Sequence, residues 1–377
     1  MNTGFQIMKD LQKRGRVGCI VSIILVLLLF GVTVFACHSG ASFTQMPDEA
    51  LDYSNIIRQN VGFDARVVDI AMLGAHDAFA DKISPRSEPC PNDTGFLSYP
   101  GIMTLMPGYI SRFARTQKSD AAGLLRRGVR YFDVRITFHN NTWYTQHGLI
   151  NEPLKNSLVQ TIEFLTANPG ELIIFDIQHA RLGSSNWQTL WAHIASVEYG
   201  GRSLFDFVTF DPYNTPLEGL TYGAATQNGT VSAAVITARD PQSPQLFHYY
   251  YNDSVRSVWH NKIRTSELIE GVEAEAQALR NNPELDRGKI RVNQAQLTAN
   301  LSSPGEIFTT LASWSLLTAH ARHNVLLLEH KNFTAWLEVL PIFMTDFSDS
   351  PTGNFNSRII EKINGFNRRG LPQQRST

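Results

Sequence analysis

Along this chain, short apolar runs break repeatedly into charged residues at one end. Residues 67–74 are mostly apolar, and His76 and Asp77 follow at once. From Gly128 to Gly148 apolar and polar positions alternate. That pattern predicts a strand in which Asp133 and Arg135, two apart, point the same way. A polar turn at Asn140 and Asn141 and a second strand over 142–145 then deliver His147. Residues 171–179 form an apolar run suited to a buried parallel strand, with Asp176 and Gln178 on one face. Strand 233–238 ends at Arg239, and the last apolar run, 340–343, leads to Asp346.

Helical spacing lies between these runs. Leu154, Leu158, Ile162 and Leu165 share one face over 153–167, with Pro169-Gly170 as a stop. Helices are also predicted over 121–127, 266–280, 308–321 and 355–366, a short strand over 290–292, and either state over 325–329. Strands alternating with helices predict a parallel α/β fold, in which residues at the carboxyl ends of strands line the site. Periodicity alone does not choose between an open sheet and a closed barrel. Residues 81–115, rich in Pro and Gly, read as a long rim loop over the site.

The N-terminus follows another pattern. Residues 1–16 carry Lys9, Lys13, Arg14 and Arg16, and 17–36 are almost wholly apolar. This length suits a retained signal anchor with the basic flank in the cytoplasm. Cleavage after Ala36, with secretion, and lipoprotein processing at Cys37 are the alternatives. Residues 37–60 read as a spacer and 61–377 as the globular domain, which the anchor would hold outside the cytoplasm.

The chain has 377 residues and a formal net charge of −1. That length suits one large barrel or two ordinary domains, and without a basic run no nucleic-acid partner is expected. No protein partner is predicted either. Of three cysteines, Cys37 and Cys90 are a candidate pair in an oxidising compartment. His320 and His323 lack a third metal ligand nearby, and the remaining histidines, His179 among them, read as structural or surface residues. Six Asn-x-Ser/Thr sequons, at Asn92, Asn140, Asn228, Asn252, Asn300 and Asn332, matter only in a eukaryotic secretory pathway. Walker, Rossmann, HExxH and GxSxG signatures are absent, which disfavours the enzyme classes built on them.

Carboxylate, guanidinium and imidazole together make a site for handling a charged oxyanion. Reaction at such a group without a metal needs a base, an acid and a cation for its charge. Two histidines and an arginine, His76, His147 and Arg135, supply that set.

Gly-Ala-His-Asp at 74–77, Gly-Val-Arg-Tyr-Phe-Asp-Val-Arg at 128–135 and Gln-His-Gly at 146–148 together resemble the X-domain of phosphatidylinositol-specific phospholipases C, in particular the bacterial, metal-independent branch. The resemblance spans about 65–366. It implies a TIM-type (β/α) barrel, irregular or incompletely closed, and a phospholipid substrate at a membrane surface. It also implies a general base at His76 paired with Asp346, and a general acid at His147 paired with Asp77. Arg135, positioned by Asp133, would stand in place of a metal, with no cofactor. Arg239, Gln178 and Asp176 would contact the headgroup, Gln178 falling where bacterial relatives carry lysine. Two other readings remain: a metal-dependent enzyme resembling glycerophosphodiester phosphodiesterase or sphingomyelinase D, and an inactive headgroup-binding module.

Overall fold

Gly128 shows how local chemistry starts the central strand. The helix Ala121–Arg126 is capped by Asp120, whose side chain accepts from the Gly123 amide at 2.9 Å. Gly128 then turns the chain at φ +84, where a Cβ would also meet Ile360 at 2.6 Å. Strand β2 (Val129–His139) begins there.

In the computed structural model, which describes residues 52–91, 93, 107–241, 247–298 and 316–370, twelve strands are formed. The others are β1 (Met72–Ala78), β3 (Thr142–His147), β4 (Leu149–Pro153), β5 (Leu172–Arg181), β6 (Glu198–Tyr199), β7 (Arg202–Ser203), β8 (Ala233–Ala238), β9 (Tyr249–Tyr250), β10 (Val255–Val258), β11 (Ile290–Gln294) and β12 (Ile342–Thr345). The main sheet runs β10-β11-β12-β1-β2-β5-β8-β9, and every neighbouring pair along it is parallel. β3 and β4 extend β2 as an antiparallel hairpin. Helices such as Leu154–Ala167, which buries Leu158, Ile162 and Leu165, pack against the sheet.

This is a parallel sheet of the barrel type, left open. Its edges, β9 and β10, are separated in sequence only by the helix Tyr251–Ser254, yet no ladder joins them among the described residues. Residues 49–377 form one compact unit.

The strands predicted at 171–179, 233–238 and 290–292 are present within two residues, as are the helices at 121–127, 153–167, 266–280 and 355–366. Residues 325–329 are helical, in Leu316–Glu329. The apolar pattern overstated β1: residues 67–69 form a 3-10 turn and the strand starts only at Met72. The helix Trp187–Ser196 and strands β9 and β10 were not expected; β9 and β10 are too short to carry a period. The rim loop contains the helix Pro107–Ala114, and residues 92 and 94–106 lie outside the described residues. So do the expected anchor at 17–36 and the spacer up to Leu51, together with Cys37; Cys90 is buried. No helix among the described residues is long and apolar enough to cross a membrane.

Candidate active site

Register brings the first pair together. β1 and β12 align Ala75 with Thr345, so the next residues, His76 and Asp346, emerge side by side, with His76 Nδ1 2.7 Å from Asp346 Oδ1. Gly74 lets these strands close up, since a Cβ there would lie 3.0 Å from Tyr131 and 3.1 Å from Met344. On the other side of β1, the register with β2 shifts between Ala75 and Ala78, and Asp77 adopts φ +42. A non-glycine residue held there costs roughly 1–3 kcal/mol, and such strain gathers at functional sites.

That twist aims Asp77 inward, where its buried carboxylate meets one guanidinium and two imidazoles. Oδ1 pairs with Arg135 Nε, while Oδ2 lies 3.1 Å from His147 Nε2 and 3.4 Å from His76 Nδ1. Burial pushes the Asp77 carboxyl up, but Arg135, His147 and His76 together outweigh it and hold it below its usual range. Arg135 Nη2 reaches His76 Nε2 at 3.1 Å, Gln178 Oε1 at 3.3 Å and Asp133 Oδ2 at 3.4 Å. Asp133 was expected to be the carboxylate that positions Arg135. The closer partner is Asp77, because its left-handed backbone swings the carboxylate under the guanidinium.

The histidines differ in their surroundings. His147 Nδ1 lies 2.9 Å from the Ala114 carbonyl, and its Nε2 faces Asp77. Both partners are acceptors, so the ring satisfies both only with a proton on each nitrogen. His76 sits under opposing demands. Burial works against its charged form, yet Asp77 and Asp346 prevail and raise it to about 9, with Arg135 pulling the other way. The Arg135 contact, however, is a donor contact and needs the bare Nε2 lone pair. The contact geometry thus belongs to the neutral ring, and the carboxylates set the pH at which that form is reached.

Headgroup candidates divide. A register shift between Val134 and Arg135 leaves Gln178 without a paired residue, and its amide touches both Arg135 and, at 3.3 Å, the Tyr251 hydroxyl. Arg239 lies alongside: Nε donates to the Gln178 carbonyl at 2.9 Å, Nη1 to Asn252 at 2.8 Å, and the guanidinium stacks 3.9 Å from the Tyr251 ring. Asp176, expected to touch the headgroup, is fully buried beneath the site. It accepts from the Tyr131 hydroxyl at 2.6 Å and the Thr237 hydroxyl at 2.7 Å. Burial first, then Asp133, raises it to about 7. It supports the site's floor.

His179, assigned to a structural role, stands in register with Arg135; burial and that cation push it down to about 4, so it is neutral. His323 is structural, bonded to Thr265 and the Ala295 carbonyl. Tyr251 and the segment 114–117 were missed, and nothing in their local sequence marks them.

His76, Asp77 and Asp133 lie close enough together to offer a metal ion three ligand atoms. The guanidinium already occupies the space they share, in contact with all three. A divalent cation would have to displace a fixed positive charge, so the donor set does not fit one.

No family model matches the chain. In sequence it is 31% identical over 121 residues to the PI-PLC X domain-containing protein 3 of Bos taurus, covering 30% of this chain and 37% of that protein. It is 27% identical over 115 residues to the human PI-PLC X domain-containing protein 2, covering 29% and 38%. With the variant-surface-glycoprotein phospholipase C of Trypanosoma brucei brucei it shares 34% over 123 residues, covering 29% and 34%. The chain thus spans little more than a third of the length of these relatives. In fold it is similar to phosphatidylinositol-specific phospholipase C from Staphylococcus aureus, with a TM-score of 0.55 at 13% identity over 82% of this chain and 98% of that one. The Listeria monocytogenes enzyme gives 0.52 at 16% identity over 83% and 99%. The chain therefore resembles PI-PLC X domain-containing proteins in sequence and the bacterial phospholipases C in fold.

Proposed function

We propose that this chain is a metal-independent phosphodiesterase that cleaves an inositol phospholipid. The observation that carries the reading is the pair of His–Asp couples, His76–Asp346 and His147–Asp77, flanking one guanidinium. Their rings stand 6.2 Å apart at 73°. His76 Nε2 takes the proton of the inositol 2-hydroxyl, whose oxygen attacks phosphorus. The bond from phosphorus to the glycerol oxygen breaks, and that oxygen receives the proton His147 shares with Asp77. Arg135 turns from His76 to the phosphate oxygens and stabilises their charge. The products are diacylglycerol and a cyclic inositol phosphate.

Arg239, Gln178 and Tyr251 would bind the ring hydroxyls. On the anchor reading of 17–36, the domain works at a membrane face outside the cytoplasm.

The test is cleavage of phosphatidylinositol vesicles by the full chain in EDTA, with the product identified by phosphorus NMR. Cyclic phosphate formed without added metal supports the reading. Activity only with calcium or magnesium would favour the metal-dependent alternative. Headgroup binding without turnover would favour the binding module.

A further inference from the structure

The β1–β12 ladder stops at Ala75 and Thr345, one residue short of the His76–Asp346 couple. What continues it is a segment belonging to neither strand. The Gln117 side-chain amide donates to the His76 carbonyl at 2.7 Å and to the Thr345 carbonyl at 3.3 Å, one group from each strand. Its Oε1 accepts from the Ser348 amide at 3.3 Å and hydroxyl at 3.2 Å. The Thr116 hydroxyl donates to the Asp77 carbonyl at 2.9 Å, and the Thr116 carbonyl accepts from the Phe347 amide at 2.7 Å. Two residues earlier, the Ala114 carbonyl receives His147 Nδ1.

Thr116 and Gln117 are both fully buried. The residues they grip are ones a free chain would not hold: Asp77 at φ +42 and Phe347 at φ +49. Such conformations persist only where surrounding bonds over-determine them.

We propose that Thr116 and Gln117 are positioning residues, a buried brace that extends the β1–β12 ladder past its last pair and sets both His–Asp couples in one geometry. Neither touches substrate. Thr116 fixes the backbone that aims Asp77 at Arg135 and His147, and Gln117 fixes the backbones on either side of the His76–Asp346 bond. For its rate readout the proposal rests on the phosphodiesterase reading.

The test uses Gln117→Met, which keeps length and removes donor and acceptor, beside Thr116→Val and Thr116→Ser. Rates are measured on phosphatidylinositol vesicles, and the ring nitrogens of His76 and His147 are titrated by NMR without substrate. A brace predicts a kcat loss of roughly 10²-fold in Gln117→Met with KM within about twofold, since a 1 Å misplacement can cost that much. Both histidine titrations should move. Thr116→Val should lose roughly tenfold, and Thr116→Ser, which keeps the hydroxyl, should regain it. A Gln117→Met protein with a lower Tm but unchanged kcat and ring titrations would assign the segment to fold stability and overturn the proposal. If that variant does not fold, the Thr116 pair decides by the same measures. If the wild-type chain cleaves no inositol lipid, the proposed function fails while the titrations still decide the brace.

Discussion

Arg130 and Arg135 lie five residues apart on β2, each against a buried carboxylate, and they do opposite work. Arg130 is saturated: Nε meets Glu171 at 2.6 Å, Nη1 the Leu125 and Val129 carbonyls at 2.7 and 2.9 Å, and Nη2 the Tyr53 carbonyl at 2.8 Å. Glu171 in turn accepts from the amides of Ile57 and Arg58. Every polar atom has a fixed partner, and the pair ties the 52–60 segment to the amino ends of β2 and β5. Arg135 is instead 22% exposed in its side chain, and its partners are the side chains of His76, Asp77, Asp133 and Gln178, three of which titrate. No contact holds its Nη1 among the described residues. An ion pair satisfied by backbone fixes a fold; one satisfied by an imidazole, an amide and two carboxylates at a partly open site is available for chemistry.

The contrast breaks first at the base. His76→Ala should cost about 10³-fold or more in kcat with the fold intact, read as phosphatidylinositol turnover and circular dichroism. Next in size, Glu171→Gln should cost about 3 kcal/mol by leaving Arg130 buried and unpaired. Urea unfolding would measure that loss, and the folded fraction should keep wild-type kcat. If Glu171→Gln lowered kcat in folded protein, the division of labour would be wrong.

Arg135→Lys is expected to lose roughly 10²-fold in kcat/KM, because a single ammonium cannot span Asp77, Asp133 and phosphate as a planar fork does. Its thermal midpoint should move little. The smallest effect is that of pH. With His76 held up to about 9, kcat/KM should rise about tenfold per unit from neutrality toward that value as the base loses its proton. Stability runs the other way. The His76 contribution is complete below the unfolded value near 6.5 and is lost as pH climbs through about 9. A pH–rate profile flat from 7 to 9 would remove His76 from the base's role.

Legibility followed the range of the signal. Asp133 and Arg135 could be placed on one face because strand alternation is local, and the buried runs at β5 and β8 announced themselves by composition. Asp176 also lay on its predicted face, but facing says nothing about depth. It sits below the site because Tyr131 and Thr237 come from neighbouring strands to cover it. Gln117 carried no signal at all, since a glutamine after a short helix looks like any loop residue until four backbone and side-chain groups from β1, β12 and the turn after β12 converge on it.

By itself, the sequence determined the alternation of strands and helices and the presence of the histidines, arginine and carboxylates on which the proposed function rests. Those depend on side-chain period and on chemistry written in each residue type. Only the tertiary structure decided that Asp77, rather than Asp133, is the main partner of Arg135, that the sheet stays open between β9 and β10, and that a buried brace sits behind both histidines. The first and the last turn on backbone register and on a left-handed φ at Asp77, and the second on which strands find a partner; no local pattern encodes either.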